Sequence, residues 1–309
     1  MYRKKLFLIN RKKKISNKNI IKTLNQNIIE THKSNEDIKI GVCIRAKDEQ
    51  NIICDFITHY LKLGFDKIII YDNLSNPSIQ ETLHKNNILN DRIKIVIDNT
   101  DHSNQPVVYL DCINNNKDLD WLLLCDADEF LYIKNGHIKD FLNTYSEDTC
   151  TILINWLVYG SSNNQFYDKS KSIYSQFTKR EDYNHFWNRF VKSFVRPKLI
   201  NKVENVHYTV NKQYKVKSVD NDIIDMNINI SGLCDCLCTY SKLSDNTNVI
   251  LVHYMTLDFE SMLNKRIKNA KQNLGLSLKD SKYTMEWYKS HNYGFRDNNT
   301  DLRMLKYES

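Results

Sequence analysis

"DWLLLCDADEF", residues 120–130, decides how the chain is read. Trp121 to Cys125 are apolar at every position, and the next four residues, Asp126, Ala127, Asp128 and Glu129, bring three acids. A short run without polar alternation has the pattern of a strand buried on both faces, as in a parallel sheet covered by helices. In such sheets ligands bind beyond the carboxyl ends of the strands, which is where this acid falls. Two carboxylates one residue apart can both reach a hard divalent cation, and Ala127 leaves room for a substrate. Taken alone, a D-x-D is more simply a capped turn with solvated acids. Its surroundings change the balance, because an acid, Asp72, also ends an earlier apolar run, and His253 ends a late one.

Working outward, short apolar runs alternate with amphipathic stretches in the manner of βαβ units. "IKIGVCI" (38–44) reads as a first strand. "DEQNIICDFITHYLKLG" follows as a helix with Ile52, Ile53, Phe56, Tyr60 and Leu63 on one face, closed by Gly64. "DKIIIYDN" is a second strand, and "NPSIQETLHKNN" a short helix with Asn76 as its cap and Pro77 as its first residue. "RIKIVID", "QPVVYLDCINNN" and "DWLLLCD" supply a third strand, a helix and the fourth strand. "DTCTILINWLVYG" adds another strand, after which the pattern is irregular from about 161 to 235. "NVILVHYMTLDFESMLNKRIKNAKQN" then reads as a strand ending at His253 and a basic helix.

The 309 residues suffice for one large domain with appendages. Much of the net charge of +7 comes from "MYRKKLFLINRKKK", so basicity is a property of the N-terminal arm and gives no reason to expect a nucleic-acid partner. No run approaches the roughly 20 apolar residues of a membrane span, and "LFLI" is too short for a signal-peptide core. The expectation is a cytoplasmic chain whose eight cysteines are reduced thiols. "CDCLC" aligns Cys234, Cys236 and Cys238 on one face of a strand, but no second cysteine pair stands at zinc-site spacing.

"IRAKDEQNIICDFITHYLKLGFDKIIIYDNLS" resembles the opening of the glycosyltransferase group related to family 92 and the DUF23 proteins, within the family 2-like GT-A superfamily. "QPVVYLDCI", "DWLLLCDADEFLYI", "NWLVYGSSN", "VKSFVRP" and "VHYMTLDFESMLNKR" continue the resemblance in order. It implies an α/β GT-A (nucleotide-diphospho-sugar transferase) fold, a mostly parallel Rossmann-like sheet flanked by helices. The domain expected is 38–270, with a nucleotide-sugar half (38–135) and an acceptor half (136–270). A basic arm (1–37) precedes it and a helical extension (271–309) follows.

The activity the resemblance implies is metal-dependent transfer, with inversion, of a hexose such as galactose or glucose. The donor would be a nucleotide-sugar, specifically a UDP-sugar, and the acceptor a hydroxyl of a glycan, protein or lipid. The alternative is a catalytically silent GT-A relative that binds carbohydrate or serves as a scaffold. Manganese or magnesium would neutralise the departing diphosphate, since charge builds there in the transition state. The resemblance then assigns Asp128, Asp126 and His253 to the metal, with Asp126 alternatively a ribose contact. Asp72 would meet the nucleobase or ribose, and Lys265 and Arg266 the diphosphate. Arg45 is either a nucleotide contact or a partner for Asp48 or Glu49.

Lys192 and Arg196 are offered as further phosphate or acceptor contacts. Gln105 matches a family Gln without an assigned role. Trp156 and Tyr159 are either sugar-stacking or core aromatics, and Glu129 is a structural acid behind the metal. For the base that takes the acceptor proton, Glu181, Asp182 and Asp220 are the candidates. A membrane-bound acceptor would be met through the basic N-terminal arm.

Overall fold

In the computed structural model the described residues are 38–101, 104–203, 205–224, 243–264 and 296–297. The first half follows the periodicity of the sequence. Strands β1 (Ile40–Ala46), β2 (Lys67–Asp72), β3 (Ile93–Ile97) and β4 (Trp121–Cys125) lie parallel in the order β3-β2-β1-β4. Helices α1 (Ile53–Lys62), α2 (Ile79–Lys85) and α3 (Gln105–Asn114) connect them. β1 and β4 are apolar because each is a central strand with neighbours on both sides, and β4 is buried along its whole length. β3 is the edge strand, and none of its five residues is fully buried.

α1 buries Ile53, Phe56, Ile57 and Tyr60 against the core and is followed by Gly64 at φ +98°, a left-handed conformation that favours glycine. α2 begins later than expected. Its cap is Ser78, whose hydroxyl accepts from the Glu81 amide while the Glu81 carboxylate accepts from the Ser78 amide. Asn76 and Pro77 precede this capping box, joined by a cis peptide bond.

Beyond the D-A-D turn the sheet becomes mixed. β5 (Glu129–Ile133), α4 (Ile138–Asn143) and the eleven-residue β6 (Thr149–Tyr159) come first. The short helix α5 (Ile173–Gln176) and β7 (Lys179–Arg180) are followed by β8 (Val191–Val195), β9 (Lys215–Ser218), β10 (Val249–Tyr254) and β11 (Arg296–Asp297). β6 changes partners along its length: residues 151–155 pair with β8 and residues 156–159 with β10. β8 runs antiparallel between β4 and β6, and β10 runs antiparallel to β5. β6 therefore joins the two groups of strands, which explains why all eleven of its residues are buried. No described helix is long and apolar enough to cross a membrane.

Candidate active site at the strand ends

The D-A-D turn closes on itself through Glu129. The Glu129 amide donates to the Asp126 carbonyl at 3.1 Å, and the Glu129 carboxylate (Oε2) accepts from the Asp126 amide at 2.8 Å. Glu129 is wholly buried, and burial, with the charges of Asp126 and Asp128 against that of Lys192, pushes its carboxyl up. It is the structural acid behind the turn.

Asp126 is held from two sides. Gln105 Nε2 donates to its Oδ1 at 2.9 Å and Lys192 Nζ to its Oδ2 at 2.7 Å. Burial opposes the charge of Asp126, but the Lys192 charge and these hydrogen bonds hold its carboxyl well below the usual range. Lys192 responds in kind: burial would lower its pKa, and the charges of Asp126 and Glu129 raise it instead. Gln105 is placed by α3, and its amide also donates to Tyr109, whose hydroxyl donates in turn to the Cys125 carbonyl.

Asp128 faces another way. Its Oδ1 lies 3.6 Å from His253 Nε2, and its carbonyl accepts from the Tyr254 amide at 2.9 Å, so β10 carries His253 directly to the turn. His253 stands opposite Glu129 in the β5–β10 pair. Its ring lies 4.3 Å from that of Trp156, which stacks on Phe190 at 5.2 Å.

A cavity of about 510 Å³ opens at the carboxyl ends of β1 and β4, with Lys47, Asn73, Gln105, Asp126, Asp128 and His253 on its wall. A carboxylate oxygen and an imidazole nitrogen 3.6 Å apart can both bind one manganese or magnesium ion at about 2.1 Å, leaving its other positions to water and phosphate oxygen. The donor set therefore fits such an ion. Among the described residues no group of three or more His, Cys, Asp or Glu gathers for a metal.

The sequence profile of Glycosyltransferase family 92 matches residues 38–291. The chain belongs to glycosyltransferase family 92. Its mixed α/β sheet, with the parallel half ending in the acidic turn, is the GT-A architecture expected of that family. No curated protein matches.

Among solved structures, S. aureus TarS 1-349 is similar at 12% identity and TM-score 0.36, over 77% of this chain and 67% of that one. The mannosyltransferase PcManGT from Pyrobaculum calidifontis, in complex with GDP-Man and Mn2+, aligns at 10% identity and TM-score 0.30, over 51% and 44%. Glucosyl-3-phosphoglycerate synthase from Mycobacterium tuberculosis, in complex with Mn2+, UDP and glucosyl-3-phosphoglycerate, aligns at 14% and 0.28, over 40% and 45%. The matched part is under half the length of the latter two chains.

In this family 92 chain several expected residues have other duties. Both oxygens of Asp72 accept backbone amides, from Ser75 and Ile79, each at 2.9 Å, so Asp72 shapes the turn into α2. Its neighbour Asn73 is the one on the cavity wall. Arg45 also lines the cavity, and its buried guanidinium pairs with Asp98 at 2.6 Å and donates to Thr100 and to the Asp101 carbonyl. Lys192 lies under the turn, fully buried, and is not a surface contact. Arg196 stacks over Trp121 at 4.1 Å and donates to the Thr149 and Tyr145 carbonyls.

Glu181, Asp182 and Asp220 do not line the cavity, and Asp182 and Asp220 are exposed. Trp156 is on the cavity wall, whereas Tyr159 packs against Tyr254 in the core. Lys265, Arg266, Cys234, Cys236, Cys238, the N-terminal arm and most of the C-terminal extension lie outside the described residues.

Two residues escaped the sequence reading. Lys47 is a second cation on the cavity wall besides Arg45. His207 lies 5.3 Å from Trp156, ring to ring, and burial, followed by the charge of Lys192, lowers its pKa to about 4. A signal for His207 was present, since the tripeptide Val206-His207-Tyr208 repeats at Val252-His253-Tyr254.

Proposed function

We propose that the protein is a metal-dependent glycosyltransferase whose strand-end cavity binds a nucleotide-diphospho-sugar, a UDP-hexose in the first instance, and transfers the sugar to an acceptor hydroxyl. The observation that carries this reading is the convergence of Asp128 and His253 on a cavity of about 510 Å³, in a chain of family 92. A divalent cation there would supply charge neutralisation of the leaving diphosphate. Asp128 and His253 would hold it, and the contact of His253 with Trp156 fixes the imidazole plane toward the cavity.

Lys47, on the cavity wall, is suited to a phosphate oxygen of the donor, because the hydrogen bond it makes among the described residues is a long one, to Asn73 at 3.4 Å. Asp126, partly exposed at the cavity but anchored on both oxygens, is suited to accept from a ribose hydroxyl, since a carboxylate has further lone pairs to offer. Arg45 acts at one remove. By bonding Asp98, Thr100 and Asp101 it fixes the loop beyond β3.

The test is a hydrolysis screen of the purified protein against UDP-, GDP- and other nucleotide-sugars, with manganese and with chelator. The reading expects one donor to be turned over slowly with manganese and not with chelator. Equal turnover of that donor in chelator would remove the cation from the account, and no turnover of any donor would remove the transferase reading.

A further inference from the structure

We propose that Asp55, outside the cavity, is a positioning residue for the nucleotide, acting through residues 163–177 as a strap that sets the spacing of two cavity walls. It rests on the nucleotide reading of the cavity and adds a residue on which donor affinity depends.

Two of the stretches that line the cavity come from distant parts of the chain. One is the approach to α1, with Gln50, Asn51 and Ile52 on the wall, and the other is the turn after β10, with Leu257, Ser261 and Met262. The strap is bonded to both. Asp55 stands in the first turn of α1, just beyond Ile52, and its Oδ2 accepts from the Ile173 amide at 2.7 Å and from the Tyr167 hydroxyl at 3.3 Å. At the other end, the carbonyls of Asn164 and Gln165 accept from the amides of Phe259 and Glu260 at 3.2 and 3.1 Å, and these two residues lie between Leu257 and Ser261.

Gln176 closes the strap into one unit. Its carbonyl accepts from Asn164 Nδ2 at 2.7 Å, and its side chain accepts from the Asp168 amide at 2.8 Å and donates to the Lys171 carbonyl at 2.9 Å. Ile173 is wholly buried, so the amide that Asp55 holds belongs to an anchored part of the loop. A hydrogen bond from an amide to a carboxylate is of the stronger, charge-assisted kind. The turn it steadies is not relaxed by itself: Leu257 has φ +49°, an uncommon conformation for a residue other than glycine. Such a conformation persists where surrounding contacts over-determine it, and the strap supplies two of them at Phe259 and Glu260.

Loss of the Asp55 clasp frees the strap from α1, lets the two walls part and weakens every contact that a nucleotide makes across them. A residue that serves stability alone would lower the unfolding temperature and leave nucleotide affinity where it was.

The experiment titrates UDP with manganese into the full-length wild type, Asp55→Ala and Asp55→Asn by calorimetry. In parallel, trypsin cleavage after the exposed strap residues Lys169 and Lys171 is followed with and without UDP and manganese. Expected are UDP affinity lowered about fivefold or more in Asp55→Ala and rescue to within about twofold of wild type in Asp55→Asn, which keeps an acceptor oxygen for the Ile173 amide. Because coupling is reciprocal, UDP should slow cleavage of the wild-type strap about threefold or more. Unchanged UDP affinity in Asp55→Ala overturns the proposal, as does a loss that Asp55→Asn does not rescue. If Asp55→Ala does not fold, the wild-type strap carries the test: UDP that binds without slowing its cleavage overturns the proposal alone. A wild type that binds no UDP sinks the nucleotide reading and this proposal together.

Discussion

The parallel strands β1 to β4 and the stretch from 160 to 224 are built by different means. In the first, the parallel pairs β3-β2, β2-β1 and β1-β4 all join strands of the same stretch, and the groups that matter stand at strand ends, where an apolar run gives way to polar residues. In the second, β8 takes its place only by antiparallel pairing with β4 on one side and β6 on the other. Position there is set by register, and because side chains alternate across a strand, a slip of one residue would turn Lys192 to the opposite face. The cavity needs both constructions. Asp126 and Asp128 come from the end of one strand, while the cation that secures Asp126 comes from a strand far along the chain.

The largest effect separating the two regions is expected at the cavity itself. Asp128→Asn should lower manganese-dependent donor turnover by about 100-fold or more, with the unfolding temperature little changed, because it removes charge stabilisation and not packing. A variant that keeps wild-type turnover would take Asp128 out of the site. Next comes Arg45→Met, which leaves the buried Asp98 carboxylate without its cation. Burial works against that carboxylate, and Thr100 and Arg45 hold its pKa down. Thermal or denaturant unfolding should show a loss of about 3 kcal/mol. Arg196→Met, its counterpart near β8, loses a stacking contact over Trp121 and hydrogen bonds to carbonyls. It should cost less, about 1 to 2 kcal/mol. A larger loss at Arg196 than at Arg45 would reverse the ranking.

Acid sharpens the comparison, because each region holds a histidine whose pKa is lowered by burial. His59, on α1, and His207 are both held neutral by burial, with pKa lowered to about 4. An unfolded chain takes up these protons near pH 6.5, well before the folded one does. The stability each neutral imidazole secures is therefore full above about pH 6.5 and is lost as pH falls toward 4. Asp126 stays ionised in the folded chain, so its pair with Lys192 adds slope only as pH approaches about 4 and below, where aspartates of an unfolded chain take up protons. His59→Gln and His207→Gln should each flatten the dependence of unfolding temperature on pH between 6.5 and 4, and an unaltered slope in both would contradict the assignment. The smallest effect is Ser78→Ala, which breaks the capping box of α2 and should cost about 1 kcal/mol in denaturant unfolding.

What the sequence made legible follows the same division. Burial of Ile52, Ile53, Phe56, Tyr60 and Leu63 along α1 could be read from a 3.6-residue period, and β4 from its unbroken apolar run, because both patterns are local. The start of α2 was misplaced by two residues because Asn76 and Ser78 are both good caps. The choice between them rests on Glu81, three residues beyond Ser78, whose carboxylate closes the box.

At the site, residue type pointed to Asp126, Asp128 and His253, but not to what holds Asp126 in place. That depends on Lys192 and Gln105, which approach from β8 and α3. Asp72 looked like a ligand contact because it ends a strand. The amides of Ser75 and Ile79 claim it instead, a demand of the turn that only three-dimensional structure displays. The stretch holding Glu181 and Asp182 has no period to read, since its backbone is organised by contacts with β6 and not by its own repeat.

The measurement that bears most directly on the central claim is calorimetric titration of UDP, and of the donor found in the hydrolysis screen, into wild type and Asp128→Asn, each with manganese and with chelator. Nucleotide binding that requires manganese in the wild type and is lost in Asp128→Asn is the predicted result. Equal affinity in the variant, or in chelator, would contradict a cation-bridged nucleotide site at the end of β4.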